Sequence, residues 1–102
     1  MSSYVIPNLA NACRLLVLLA KTPQGLSLSE LEQQLQLPRT TTFRILQTLC
    51  QQQMLVKQNR KYLIGSALFG LGLDLINHHP LQQQALPQLQ QLALQTGLSA
   101  QL

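Results

Sequence analysis

The residues best suited to chemistry lie in one polar stretch, "LPRTTTFRILQTL", which spans residues 37–49. Arg39, Thr40, Thr41 and Arg44 stand together at the start of a pattern that otherwise predicts a helix. Threonine is a poor interior helix former because its branched Cβ restricts χ1, so these residues need another role. Guanidinium groups bind phosphates or grip O6 and N7 of guanine, and threonine hydroxyls donate to phosphates or base edges. The stretch therefore predicts non-covalent recognition of a polyanion.

Two stripes run along this predicted helix, which extends from Pro38 to about Gln52. One follows helical spacing and is expected to face the core: Thr42, Ile45, Leu46 and Leu49. The other is rotated round the axis and is expected to face outward: Thr40, Phe43, Arg44 and Gln47. An exposed Phe43 favours a contacted surface, for example a thymine methyl group. The alternative is an ordinary surface helix whose arginines are solvated.

Two helices are predicted before this stretch. The first is "PNLANACRLLVLLAK", which is apolar nearly all round. Its expected core stripe is Leu9, Ala12, Cys13, Leu16, Leu19 and Ala20. The second lies within "LSLSELEQQLQL", where Ser27 and Glu30 have the spacing of a capping box.

A two-stranded hairpin is predicted after the stretch, from "MLVKQ" and "KYLIG". Lys57, Arg60 and Lys61 cluster at its tip and inner flanks, so it is either a DNA-contacting wing or a solvated turn. A fourth helix, "SALFGLGLDLINHH", and a fifth, "LQQQALPQLQQLALQTG", follow. The order of helices and hairpin is that of a winged helix-turn-helix, which places the third helix in the major groove.

The charge distribution agrees with a polyanionic partner. All seven Lys and Arg residues precede Tyr62, and the formal net charge is +4. Such a basic unit attracts nucleic acid or an anionic membrane surface, or it serves only as a solvated cationic face. No secretory signal is recognisable, and the apolar runs fall short of the roughly 20 residues that span a bilayer. We therefore expect a cytoplasmic protein without a membrane partner.

Catalysis and cofactor binding are not expected. Only three acidic residues occur: Glu30, Glu32 and Asp74. The glycines lack the strand–turn–helix setting of a dinucleotide-binding loop. Cys13 and Cys50 are far apart and form no CxxC pair, so the sequence predicts no metal site.

The whole chain resembles the N-terminal part of the IclR family of bacterial transcription regulators. The resemblance rests on "GLSLSELEQQLQLPRTTTFRILQTL", "MLVKQNRKYLIG", "ALFGLGLDLI" and "ALPQLQQLALQTG". It implies a mainly α fold, in which three helices and a two-stranded wing are followed by a linker helix and a further helix. The implied domains are the DNA-binding domain at 1–65, the linker helix at 66–80 and the start of an effector-binding domain at 81–102.

The resemblance implies a sequence-specific transcriptional regulator, either repressor or activator, that binds a palindromic double-stranded DNA operator as a homodimer in the bacterial cytoplasm and nucleoid. The residues expected to contact DNA are Ser27, Arg39, Thr40, Thr41, Phe43, Arg44, Gln47, Lys57, Arg60 and Lys61. A small-molecule effector is expected only if a C-terminal domain exists, because the sequence ends before such a pocket; we expect a fragment or a truncated product. The alternative function is a winged-helix module that binds only proteins.

Members of this family dimerise through the first and linker helices. Here Leu15 and Leu18 lie off the expected core stripe of the first helix. The linker carries one stripe of Leu68, Leu71 and Leu75, which we assign to the interface, and a second of Phe69, Leu73 and Ile76. The alternative is that one linker stripe packs on a missing domain.

Three positions depart from the family pattern. Gln36 and Gln53 stand where the family commonly has glycine, and the wing tip is shortened to "QNR". A non-glycine residue at positive φ costs about 1 kcal/mol, so strained or reshaped turns are expected here.

Overall fold

The computed structural model describes residues 4–79. Its elements are α1 (Pro7–Ala20), α2 (Leu28–Leu35), α3 (Arg39–Gln51), β1 (Leu55–Gln58), β2 (Lys61–Ile64) and α4 (Ser66–His78). Three helices and a two-stranded wing followed by a further helix make the described part a winged helix-turn-helix, which confirms the predicted fold class. The predicted fifth helix lies outside the described residues.

The start of α2 is fixed by the predicted capping box. The backbone N–H of Glu30 donates to Ser27 Oγ at 3.2 Å, and the N–H of Ser27 donates to Glu30 Oε1 at 2.8 Å. These two bonds satisfy N–H groups that have no partner inside the helix. Pro38 precedes α3 as its cap residue, one position earlier than the sequence predicted.

The turns at both ends of α3 use left-handed glutamines. Gln36 ends α2 at φ 57°, and Gln53 follows α3 at φ 63°. These are two of the positions where the resemblance led us to expect a glycine conformation. Each glutamine adopts that conformation at a cost of about 1 kcal/mol relative to glycine.

The two strands of the wing pair with each other, and β2 also pairs with Leu26 in the segment that leads into α2. β1 and β2 pair antiparallel, with Leu55 opposite Ile64 at one end. The N–H of Leu26 donates to the carbonyl of Tyr62 at 3.1 Å, and the N–H of Tyr62 donates back at 2.8 Å. Gly25 permits this approach, since it has φ 83° and a Cβ there would lie 2.8 Å from the Tyr62 carbonyl oxygen.

The core lies between the three helices and the wing. Its buried apolar side chains are Leu15, Leu19, Leu26, Leu31, Leu35, Ile45, Leu46, Leu55 and Tyr62. The expected inner stripe of α3 is confirmed, because Thr42, Ile45 and Leu46 are buried and Leu49 packs against the core.

The face that α1 buries differs from the prediction. Leu15, which was assigned to a dimer interface, is fully buried in the core and is therefore unavailable to a second copy. Leu9, Cys13 and Ala20, which were expected inside, are exposed, whereas Leu18 is half-buried against the core. Because α1 is apolar on nearly all sides, its sequence pattern does not distinguish the side that faces the core.

No residue of α4 is buried within the described part of the chain. Its first turn is fixed to the end of α3, since the N–H of Ala67 donates to the carbonyl of Gln53 at 2.9 Å. The chain groups into two units, Met1–Leu71 and Gly72–Leu102. The domain boundaries at 65 and 80 remain predictions.

Candidate nucleic-acid interface

The outward side of α3 carries four exposed residues that we call the recognition face. They are Thr40, Phe43, Arg44 and Gln47. They are exposed because α3 turns its other stripe into the core, and the residues at helical spacing on the opposite side must then face solvent. Phe43 has 43% of its surface accessible, so its ring is available to a partner. The predicted outward stripe is thus confirmed as an exposed surface.

The threonine hydroxyls of α3 differ in whether they form a hydrogen bond within residues 4–79. Thr42 donates to the carbonyl of Pro38 at 2.9 Å, and Thr48 donates to the carbonyl of Arg44 at 2.8 Å. Thr40 and Thr41 make no side-chain hydrogen bond within residues 4–79. Their hydroxyls stand beside the N–H groups that open the helix, where the helix dipole favours an anion.

The two arginines of α3 have different surroundings. Arg39 Nη1 lies 2.7 Å from Glu32 Oε2 and 3.5 Å from Ser29 Oγ, so this cation already has partners on α2. Arg44 forms no hydrogen bond or ion pair from its side chain in the described part of the chain. With Thr41 it borders a groove of about 370 Å³ against the N-terminal half of α1. Arg44 is therefore the guanidinium group that is free to meet a ligand.

The cations of the wing lie at one end of the hairpin but on both of its faces. Lys57 is opposite Tyr62, and its Nζ lies 5.5 Å from the centre of that ring. Lys61 is opposite Gln58, and side chains alternate between faces along a strand, so it points away from Lys57. Arg60 sits at the tip with φ 67°. The three cationic side chains therefore lie around the tip and do not form one flat basic surface.

The start of α2 lies next to the wing cations. Ser27 is half-buried and its hydroxyl already accepts the capping hydrogen bond, which leaves its own proton to donate. The pKa of Glu30 is lowered, chiefly by the hydrogen bond from the Ser27 backbone and also by the charge of Lys61. Lys61 therefore acts in the field of a neighbouring carboxylate.

Sequence reasoning missed two groups that shape this surface, Glu32 and Ser29. Both hold Arg39 across the turn between α2 and α3, and no sequence spacing rule predicts that contact. Tyr62 was likewise placed only in a strand, although it is buried in the core and carries Lys57 on its ring.

Residues 4–79 also bear on metal sites and membrane spans. In that range no three His, Cys, Asp or Glu side chains lie close enough together to hold a metal ion. Also, none of the helices described has the length and hydropathy needed to cross a bilayer.

Comparisons with known proteins identify a family for most of the described residues. Residues 8–59 match the family model of the IclR helix-turn-helix domain. A search of curated protein sequences finds no match.

Two solved structures are similar to the chain. One is an IclR transcriptional regulator from Alicyclobacillus acidocaldarius, with 29% identity, a TM-score of 0.71, and coverage of 88% of this chain and 37% of that one. The other is the Agobacterium tumefaciens repressor BlcR, with 25% identity, a TM-score of 0.67, and coverage of 76% and 32% respectively. The chain thus spans about a third of the length of either relative.

Proposed function

The chain belongs to the IclR helix-turn-helix family, and from that premise we propose that it is a sequence-specific DNA-binding regulator of transcription that binds a palindromic operator as a homodimer. The observation that carries the proposal is the recognition face of α3, whose Arg44 and Thr40 are exposed and have no side-chain partner within residues 4–79. Its place of action is then the bacterial cytoplasm and nucleoid.

The N-terminal end of α3 enters the major groove in this proposal, as the second helix of a helix-turn-helix does. Its first N–H groups and the Thr41 hydroxyl meet a phosphate, and Arg44 reaches a base edge or a second phosphate. Phe43 and Gln47 lie further along the same face. Arg60 and the two wing lysines follow the DNA backbone beside it.

Dimerisation is supported by the apolar surface that a single chain leaves exposed. Leu71 and Leu75 on α4 are 47% and 55% exposed, and Val17 on α1 is 56% exposed. Exposed apolar surface of this kind marks an interaction site more often than a free surface. Leu18 and Leu68, both half-buried, border the proposed contact, and Leu15 has no part in it. A two-fold dimer presents two recognition faces and so requires an inverted repeat.

Selection from a random duplex library with the full chain tests the proposal. We expect an inverted repeat whose half-sites are separated by about 10 base pairs or a multiple of that distance. Affinity for the selected duplex should fall steeply with salt, with log K decreasing by about 0.9 per phosphate contact for each tenfold rise. Failure to retain any duplex in dilute buffer would instead favour the protein-binding module.

Arg44→Ala is the sharpest variant for the recognition face. We expect a loss of about 1–3 kcal/mol of affinity for the selected duplex, and a smaller loss for unrelated duplexes, if Arg44 reads a base. Lys21→Ala is the matched control because it removes the same charge from an exposed residue just after α1. An equal loss of affinity in both variants would show that Arg44 does not contact the duplex.

A further inference from the structure

The pair formed by Arg39 and Glu32 stands at the end of α3 that is proposed to enter DNA. Glu32 and Ser29 are three residues apart on α2, so they share one side of that helix, and both contact the same nitrogen, Nη1 of Arg39. The side chain of Arg39 is 63% exposed and that of Glu32 is 23% exposed. A cation at the DNA-facing end is therefore held by a carboxylate that is itself partly sheltered from water.

We infer that Glu32 limits non-specific DNA binding by withholding Arg39 from the phosphate backbone. Glu32 occupies Nη1 of Arg39, and its negative charge offsets that of the guanidinium and repels a phosphate that approaches the remaining donors, so the contact of Arg39 with the DNA backbone is weakened while the carboxylate is there. Sequence-independent affinity for DNA comes mainly from phosphates neutralised by such cations. The inference rests on the proposed function, since it concerns the same surface.

The expected size follows from counterion release. One additional phosphate contact makes the slope of log K against log salt steeper by about 0.9. Over a rise from about 50 mM to 200 mM salt, that slope adds about 3.5-fold to the loss of affinity. Glu32 thus sets how far salt controls the binding of this protein to arbitrary DNA.

Glu32→Gln in the full chain tests the inference, with a short duplex of unrelated sequence as the probe. This substitution keeps the shape of the side chain but removes the charge that holds Arg39. We expect higher affinity for the probe in dilute buffer and a slope steeper by about 0.9 than that of the wild type. In the Arg39→Ala background, the same substitution of Glu32 should leave the slope unaltered.

Asp74→Asn is the matched control. It removes the same charge from an exposed residue of α4, which carries none of the proposed DNA contacts. An equal change of slope in both single variants would overturn the inference, because it would show a general effect of charge. An unchanged or shallower slope for Glu32→Gln would overturn it as well, while leaving the proposed function intact if the wild type binds. A wild type that binds no duplex would overturn both.

Discussion

Helices α3 and α4 are both 13 residues long, but they differ in how many of their side chains are buried. α3 is rich in polar residues and buries three side chains, whereas α4 is mostly apolar and buries none within the described part of the chain. The difference arises because α3 is packed among α2, β1 and α1, whereas α4 begins at the surface, where its first turn is hydrogen-bonded to Gln53 in the turn after α3. Composition therefore does not decide which helix forms the core.

The contrast also separates two kinds of surface. The exposed side of α3 carries hydroxyl, guanidinium and amide groups beside the ring of Phe43, and the donors among these groups can bond to water or to a phosphate. The exposed sides of α4 carry Phe69, Leu73 and Ile76 on one stripe and Leu71 with Leu75 on the other. Apolar surface of this kind favours an apolar partner, which in our proposal is a second copy of the chain.

Leu46→Ala should have the largest effect on stability, because it removes a fully buried side chain from the centre of α3. We expect the free energy of unfolding to fall by about 2–5 kcal/mol, as measured by urea denaturation at a concentration where the chain is monomeric. Leu73→Ala on α4, where the residue is 46% exposed, should change it by less than about 0.5 kcal/mol. Equal losses would mean that α4 belongs to the core.

Leu75→Glu tests whether α4 supplies the dimer interface. A charge placed in an apolar contact must be desolvated, so we expect the dimer dissociation constant to rise at least about tenfold, equivalent to about 1.4 kcal/mol. Sedimentation equilibrium measures this change. Ile76→Glu, on the other stripe and 63% exposed, is the matched control and should leave the dimer intact. The reverse result would assign the interface to the stripe of Phe69, Leu73 and Ile76.

Thr42→Val examines the one polar side chain that the described core buries. Its hydroxyl bond to the Pro38 carbonyl would be lost, although the Thr42 N–H continues to donate to that oxygen at 3.0 Å. We expect a loss of about 0.5–1.5 kcal/mol in the free energy of unfolding. Thr40→Val on the recognition face should fall within about 0.5 kcal/mol of the wild type. A larger effect at Thr40 would indicate an intramolecular role for its hydroxyl.

Gly72→Ala should have the smallest effect and the opposite sign. An added Cβ meets nothing within 4 Å at either Gly70 or Gly72, and alanine favours a helix over glycine by up to about 1 kcal/mol. Circular dichroism of dilute samples should show higher thermal stability of helix α4 in both this variant and Gly70→Ala. A dimer weakened by only one of them would identify the side of α4 that approaches a partner closely.

Much of the fold could be predicted because its signals are local. The capping box at Ser27 and the period of α3 depend on residues three or four positions apart, and both were confirmed. The positive φ values at Gln36 and Gln53 were expected from the resemblance alone, since nothing in glutamine itself predicts a left-handed turn.

The features that escaped prediction depend on tertiary packing. The prediction for Leu15 was wrong because α1 offers apolar residues on several sides, and the positions of α2, α3 and β2 select which of them are buried. The contact between Arg39 and Glu32 spans a turn whose direction is set by Gln36. The sequence therefore indicated which arginines are exposed, but not which of the two is free.

The reciprocal hydrogen bonds between Leu26 and Tyr62 attach the hairpin to the segment that leads into α2. Because the backbone segment before α2 also pairs with β2, we expect the distance from α3 to the hairpin tip to vary little. Binding to operators of differing geometry would then require the duplex to bend or the contact between the two copies of the chain to change. The backbone amide protons of Leu26 and Tyr62 should then exchange slowly with solvent, both in the free protein and in the DNA complex.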